Sequence, residues 1–220
     1  MILWYLARAA GISAFACLSL ATGLGALTAR GSAGPRGAST ARPPGAGAAR
    51  EVERRVVWQY AHRAAALVGV VLIGLHIVTL LADPYAGVGL GGLLPFGSGY
   101  RPVAVTAGVV SVYLLVAVVL TGLLRGRMAR SATGARRWRY LHVTAYLAWA
   151  ASAWHFLLAG TDAGTWWALA VLAAGGAVVC AGVVARLSGL ARRGPDHTAT
   201  DTAARPLVRD QTLYPAGASR

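Results

Sequence analysis

Four histidines lie within two strongly apolar segments of the chain. His62 and His76 are 14 residues apart in the first segment, and His142 and His155 are 13 residues apart in the second. Ionisable or coordinating side chains are costly to place at membrane depth, and those found there usually have a function. Imidazole is a common ligand of transition metals, so the first chemistry to consider is metal coordination. At 1.5 Å per residue, the two imidazoles of each helix would stand ~20 Å apart, which predicts two separate metal centres.

The composition indicates a membrane protein. The 220 residues are 56% hydrophobic and only 13% charged, which is too apolar for an ordinary soluble domain. All the basic residues are arginine, and the net charge is +14. In a membrane protein such charge sets orientation and meets anionic head groups, so we expect a lipid bilayer and no nucleic acid as partner. Cys17 and Cys180 stand alone in apolar stretches, and no disulfide framework follows from them.

Five segments are long and apolar enough to cross a bilayer, which requires roughly 20 residues. They cover residues 3–28, 57–82, 102–124, 141–159 and 166–187. The first lacks a basic stretch ahead of its apolar core and exceeds the length of a signal peptide, so we expect it to be a retained helix. The predicted fold is an all-α integral membrane bundle with five transmembrane helices, located in the cell membrane.

The distribution of arginine predicts the orientation. All but two of the 21 basic residues lie in or beside the first loop, the third loop and the tail, whereas Arg8 and Arg101 lie on the opposite side. Because cytoplasmic loops carry the positive excess, this predicts the N-terminus outside and the C-terminus in the cytoplasm.

Two polar regions flank the predicted membrane segments on the cytoplasmic side. The mixture of Gly, Ala, Pro and Ser at 31–50 predicts a flexible cytoplasmic linker. This linker lies within a membrane domain that is expected to cover residues 1–190. The similar composition of residues 191–220 predicts a disordered cytoplasmic tail. His197 lies in this tail and is expected to be solvated. Neither region holds a glycine-rich phosphate loop, so we expect no bound FAD or NAD(P) domain in this chain.

Depth in the membrane pairs the histidines across the two segments. His62 and His142 both lie near the arginine-rich end and are called here the basic-end pair. His76 and His155 both lie nearer the loop at 83–101 and are called the loop-end pair. Two axial imidazoles on one haem iron leave no open position at the metal, which favours electron transfer over chemistry at the iron. The sequence therefore predicts two b-type haems, each held by one pair.

Other interpretations of the histidines remain open. A tetrahedral zinc or copper site shared by all four is excluded by the ~20 Å separation along a helix, and two-histidine zinc sites would be incomplete. Each histidine could instead hydrogen-bond between helices. Thirteen residues also leave His155 well rotated from His142 on an ideal helix, which predicts a kinked or overcoiled helix, or haems approaching it from different directions.

Arginine is the expected partner of the haem propionates, because guanidinium pairs with carboxylates through two parallel hydrogen bonds. Arg63, beside His62, is the first candidate at the basic end. Arg8, one or two turns into the first helix, is the candidate at the loop end, unless it reaches the head groups. Further candidates are Arg54, Arg55, Arg139 and Arg101. Gly11, Gly69 and Gly74 would either admit a porphyrin or pack helices together.

The histidine spacing, with Asp83-Pro84-Tyr85 and Gly160-Thr161-Asp162 as supporting motifs, resembles the ferric reductase-like transmembrane superfamily over residues 3–187. That superfamily includes eukaryotic iron reductases, NADPH oxidases and the haem-binding membrane subunit of the bacterial methionine sulfoxide reductase system. The resemblance implies two b-type haems that pass electrons from a cytoplasmic flavin or pyridine-nucleotide donor to an acceptor outside. Without a fused flavin domain, the chain is similar to the stand-alone bacterial type.

The expected function is transmembrane electron transfer. The donor would be a separate cytoplasmic flavin reductase or a quinol, and the acceptor ferric iron or an extracytoplasmic redox protein. A quinol-oxidising dihaem cytochrome, with a bound quinone near the basic-end haem, is the alternative within redox chemistry. A small permease or scaffold subunit with structural histidines is the alternative outside it.

Overall fold

The computed structural model describes residues 1–29 and 46–191, and within these residues all regular secondary structure is helical. The expected all-α class is confirmed for this part of the chain. The α-helices are α1 (Ile2–Ala29), α2 (Ala46–Ala82), α3 (Pro102–Leu123), α4 (Arg125–Met128), α5 (Ala132–Val143), α6 (Ala145–Ala159) and α7 (Trp166–Ala191). A 3₁₀ helix, Leu90–Leu93, lies in the loop between α2 and α3.

Four of these helices, α1, α2, α3 and α7, are long and apolar enough to cross a membrane. Large apolar side chains on their outer surfaces are exposed, as Leu67, Val71 and Val78 of α2 illustrate. Contiguous exposed apolar surface of this extent fits a hydrocarbon environment, and helices satisfy their backbone polar groups internally there. The architecture therefore indicates a multi-pass membrane protein.

The segment predicted to form one helix over 141–159 is divided at Thr144. The Thr144 N–H bonds to the Leu141 carbonyl, three residues back, at 3.2 Å, and its hydroxyl donates to the same oxygen at 2.6 Å. This local 3₁₀-type turn separates α5 from α6 and falls between His142 and His155, where the 13-residue spacing requires a departure from ideal geometry. At 15 residues, α6 alone is about 22 Å long, shorter than the hydrocarbon core.

Two helices begin earlier than the sequence predicted. Residues 46–50, expected in the flexible linker, belong to α2, because three of the five are alanine and Arg50 also favours helix, which outweighs the single Gly47. The helix α5 begins at Ala132, where the Ser131 hydroxyl caps it by accepting from the Gly134 N–H at 3.0 Å. Residues 31–45 of the predicted linker and 192–220 of the predicted tail, including His197, lie outside the described residues.

The bundle consists of two helical hairpins. In one, α1 packs along α2, and in the other α3 packs along α6, while α7 returns to pack against α1. The helix α1 lies at the centre and buries a face of small residues that includes Ala7, Ala14 and Ala21. Small side chains let neighbouring helix backbones approach closely, which is the usual way helices associate in a membrane.

The hairpins meet where α1 touches α6. The Trp149 indole N–H donates to the buried Ser19 hydroxyl at 2.8 Å, and the Phe15 ring stacks on Trp149 with centroids 6.1 Å apart. The histidine-bearing helices α2 and α6 do not pack closely against each other. Space is left between the two hairpins at the end of the bundle that carries the loop after α2.

Candidate functional site: two histidine pairs

The four histidines form two pairs across the space between the hairpins. The ring centroids of His62 and His142 are 6.4 Å apart, and those of His76 and His155 are 6.3 Å apart. These are the pairs that depth in the membrane predicted. Each pair takes one imidazole from each hairpin.

The separation within each pair matches two imidazoles on one metal ion. A metal–imidazole bond is about 2 Å long, and a ring with bonds of about 1.35 Å has its nitrogen about 1.15 Å from the centroid. Two such ligands on opposite sides of a metal place their centroids about 6.3 Å apart. Within the described part of the chain, no hydrogen bond joins the two rings of either pair.

Three of the imidazoles are oriented by backbone carbonyls. The Nδ1 atoms of His62, His76 and His155 lie 2.8, 2.7 and 2.8 Å from carbonyl oxygens of α1 or α3. A carbonyl only accepts hydrogen bonds, so each Nδ1 donates and the proton of the neutral ring resides there. The lone pair is therefore on Nε2, and this bond to a carbonyl is the second contact typical of metal-ligating histidine.

A glycine lies beside each imidazole on the neighbouring helix. An added Cβ would lie 2.8 Å from His76 Nδ1 at Gly11 and 2.7 Å from His155 Nδ1 at Gly108. At Gly25 it would lie 3.1 Å from a carbon of the His62 ring. Larger residues at these positions would displace the rings, so the glycines make room for them. The accepting carbonyls of Ala7, Ala21 and Ala104 each precede the respective glycine by four residues.

These glycines carry a sequence signal that the histidines alone did not reveal. Gly11 and Gly25 of α1 are 14 residues apart, as are Gly108 and Gly122 of α3. This interval equals the one between His62 and His76. Of the three glycines singled out from sequence, Gly11 meets a histidine, whereas Gly69 packs on Leu18 and Gly74 faces open space.

His142 differs from the other three histidines. Its Nδ1 lies near the Val118 carbonyl of α3, 14 residues after the Ala104 carbonyl that accepts from His155. This Nδ1 is nevertheless buried without a hydrogen bond to the described residues. A Cβ added at Gly122 would be 3.9 Å from the His142 ring, so α3 packs less closely against His142 than against His155. The basic-end pair is therefore less completely oriented than the loop-end pair.

A cavity of about 500 Å³ surrounds the loop-end pair. Both hairpins and the loop after α2 line it, largely with apolar side chains such as Ile73, Ile77, Leu80 and Val112. Its volume lies in the range typical of cofactor pockets, which are likewise mostly apolar with few polar groups. A flat apolar macrocycle fits this lining, with the two imidazoles as the coordinating groups.

Arg8 and Asp162 form an ion pair at the edge of this cavity. Arg8 also lies over the Tyr5 ring, 5.9 Å from its centroid. The sequence suggested a propionate or the head groups as partner of Arg8, and the Asp162 carboxylate was missed because 154 residues separate the two. Arg101 instead donates to the Leu158 carbonyl at the end of α6, at 2.7 Å.

Arg63 is exposed on the outer surface of α2. It lines a shallow groove with Val56, Gln59 and Tyr60 of its own helix. Adjacent residues on a helix are rotated by about 100°, so Arg63 is directed away from the face that carries His62. The geometry does not favour the predicted role of Arg63 beside the basic-end pair.

A different set of polar side chains lies beside the basic-end pair. The Trp138 ring stacks on His142, with centroids 5.1 Å apart, and the Arg125 guanidinium lies 5.1 Å from the Trp138 ring centroid. Arg125 and Arg186 are both close enough for their charges to act on the His142 imidazole. The sequence showed these arginines only as contributors to loop charge.

The two supporting sequence motifs have local structural roles. Asp83 ends α2 with a buried carboxylate that accepts from the Tyr85 N–H at 3.0 Å. Asp162 supplies the partner of Arg8, and its carbonyl accepts from the Thr165 N–H at 2.8 Å. Both motifs thus hold loops at the end that carries the loop-end pair.

Comparisons of the chain with protein-family models, curated proteins and solved structures give no match. Function is therefore argued from the residues and their geometry.

Proposed function

We propose that the chain is a membrane cytochrome that holds two b-type haems, one between His62 and His142 and one between His76 and His155. The observation that carries this proposal is the ring separation of 6.4 and 6.3 Å in two pairs whose members come from different hairpins. In the described residues no group of three or more His, Cys, Asp or Glu side chains is placed to hold a metal ion. A two-imidazole site suits a metal whose other ligands come from a macrocycle.

The chain's own residues have a limited and specific role in this function. The backbone carbonyls of Ala7, Ala21 and Ala104 keep a proton on Nδ1, so that Nε2 is available for coordination. Apolar side chains exclude water from the loop-end cavity. When bound, haem supplies reversible one-electron chemistry, and two axial imidazoles favour electron transfer over binding of oxygen or substrate at the iron.

In this proposal α5 and α6 together form a fifth membrane crossing, and the chain has its N-terminus outside and C-terminus in the cytoplasm. The basic-end pair then faces the cytoplasm, as the arginine distribution suggests. Electrons pass from a separate cytoplasmic flavin reductase or a quinol to the basic-end haem, then to the loop-end haem and an external acceptor. This arrangement is that of the ferric reductase-like proteins which the histidine spacing resembles.

Haem content of the purified chain tests the proposal. Protein from haem-supplied cells should show a low-spin bis-histidine spectrum and about two haems per chain. His76→Gln and His155→Gln should each remove one haem, because an amide still hydrogen-bonds but ligates haem poorly. His197→Gln is the matched control and should retain both. A folded, colourless wild-type preparation would refute the proposal and favour a permease or scaffold, as would full activity with all four membrane histidines changed to Gln.

The electron donor is tested separately by rapid-mixing reduction of the loaded chain in nanodiscs. A flavin reductase with its reduced cofactor should reduce both haems if the donor is a flavoprotein. Reduction by quinol alone would identify the chain as a quinol-oxidising dihaem cytochrome instead.

A further inference from the structure

The side chains of Arg125 and Trp138 form a cluster beside His142 that histidine ligation does not use. The Trp138 ring lies between the Arg125 guanidinium and the His142 imidazole, at 5.1 Å from each. A guanidinium stacked on an aromatic face keeps its N–H donors free, because the contact is made through the charge and the flat face. Within the described part of the chain, Arg125 has no hydrogen bond or ion pair that engages these donors.

The Trp138 indole N–H is a buried donor without an acceptor among the described residues. Buried indole N–H groups normally have a hydrogen-bond partner, and an unsatisfied one costs free energy. The acceptor missing from the protein is therefore expected to come from a bound molecule. With a guanidinium beside it, that acceptor is favoured when it is anionic.

No carboxylate of the described residues balances the positive charge in this cluster. Arg186 of α7 adds a second guanidinium, which donates to the uncharged Tyr146 hydroxyl at 3.4 Å. Neither Arg125 nor Arg186 is paired with a carboxylate in the described residues. At the other end, by contrast, Arg8 is neutralised by Asp162.

We propose that Arg125 and Trp138 bind a carboxylate, with Arg186 adding long-range attraction, and that this carboxylate is a propionate of the haem held by His62 and His142. The inference rests on the proposed function and replaces Arg63 as the anion partner at this end. Arg125 supplies a charge-assisted hydrogen bond and Trp138 a neutral one.

Haem dimethyl ester provides a direct test, because esterification removes the carboxylate charge and leaves the iron and ring unchanged. The full-length chain in nanodiscs of zwitterionic lipid is loaded with haem or with the ester, and transfer to excess apomyoglobin is followed. The His76→Gln chain identifies the phase that belongs to the basic-end haem. The variants are Arg125→Gln and Trp138→Phe. Arg127→Gln is the matched control for exposed charge on α4, and Arg63→Gln is a second control for exposed charge on α2.

Arg125→Gln and Trp138→Phe should each speed release of the basic-end haem by about tenfold, the effect of losing one hydrogen bond to a charged group. With the ester, the effect of Arg125→Gln should largely disappear because the charge is gone, whereas Trp138→Phe should still speed release because the ester carbonyl still accepts from the indole N–H. The controls should behave as wild type with both ligands. The midpoint potential of this haem should also fall in Arg125→Gln, because a positive charge that favours the reduced state is removed.

Equal release of haem and ester from wild type would overturn the inference, as would equal haem release from Arg125→Gln and Arg127→Gln. A dependence on Arg125 that appears only in anionic lipid, and equally for both ligands, would show that the cluster binds lipid head groups instead. Failure of the wild-type chain to bind either ligand would refute the proposed function itself, which distinguishes the two proposals.

Discussion

The loop-end and basic-end pairs have nearly equal ring separations, but their surroundings differ. At the loop end both imidazoles bond to backbone carbonyls, glycines lie directly beside them, and the nearby Arg8 is paired with Asp162. At the basic end the His142 Nδ1 has no hydrogen bond, and the charge of Arg125 is not compensated by a described carboxylate. The described protein groups thus orient the loop-end imidazoles more completely than the basic-end imidazoles.

The largest expected difference between the two sites is in haem content after a glycine-to-alanine substitution, made at Gly108 for the loop-end pair and at Gly122 for the basic-end pair. Gly108→Ala would place a Cβ 2.7 Å from His155 Nδ1 and displace the ring from the Ala104 carbonyl. We expect loss of the loop-end haem with the basic-end haem retained. Gly122→Ala meets His142 only at 3.9 Å and should retain both. Haem per chain and the number of resolved potentials measure this, and equal haem loss in both variants would contradict the difference between the sites.

A smaller effect is expected from the charged groups. Asp162→Asn leaves the partly buried Arg8 without its counter-charge and should lower the free energy of unfolding by about 2 kcal/mol. Adding Arg8→Gln should restore part of this loss, since no unpaired charge then remains. Arg125→Gln should change the stability of the haem-free chain much less, because no carboxylate of the described residues would lose its partner. Denaturant unfolding in detergent compares the three, and an equal loss in Asp162→Asn and Arg125→Gln would contradict the comparison.

The smallest effect concerns the contact between the two sites. Ser19→Ala removes the acceptor of the Trp149 indole N–H and should cost about 1 kcal/mol of stability. Because Trp149 lies between the two levels, both haems should remain bound. Ser188→Ala, which alters an exposed hydroxyl bonded within its own helix, is the control. Selective loss of one haem in Ser19→Ala would show that this contact belongs to one site only.

The sequence predicted much of the helical architecture and the histidine pairing, because both depend on local composition and on depth. Hydropathy marks apolar helices, and equal depth on two helices that run in the same direction pairs His62 with His142 and His76 with His155. The 13-residue spacing of His142 and His155 predicted a departure from ideal helix geometry. Its position at Thr144 depends on a local backbone turn, which the spacing does not specify.

Partners that depend on tertiary packing could not be predicted in the same way. Arg8 and Asp162 pair at the loop end of the bundle, although 154 residues separate them in the chain. The surroundings of Arg63 and Arg125 depend on which helix face each occupies. Arg63 lines an exposed groove of α2 and Arg125 lies over the Trp138 ring, and neither position could be read from adjacency in the sequence. The glycine interval was visible in the sequence, but its meaning required knowing that α1 packs on α2 and α3 on α6.

The division into two hairpins has a consequence for biogenesis. Each hairpin supplies only one imidazole to each pair, so the proposed haem iron, held by both imidazoles of a pair, would bind only after the two hairpins have docked. Binding of the cofactor would then favour correctly assembled chains, because it would stabilise only those whose two hairpins have docked in the correct register.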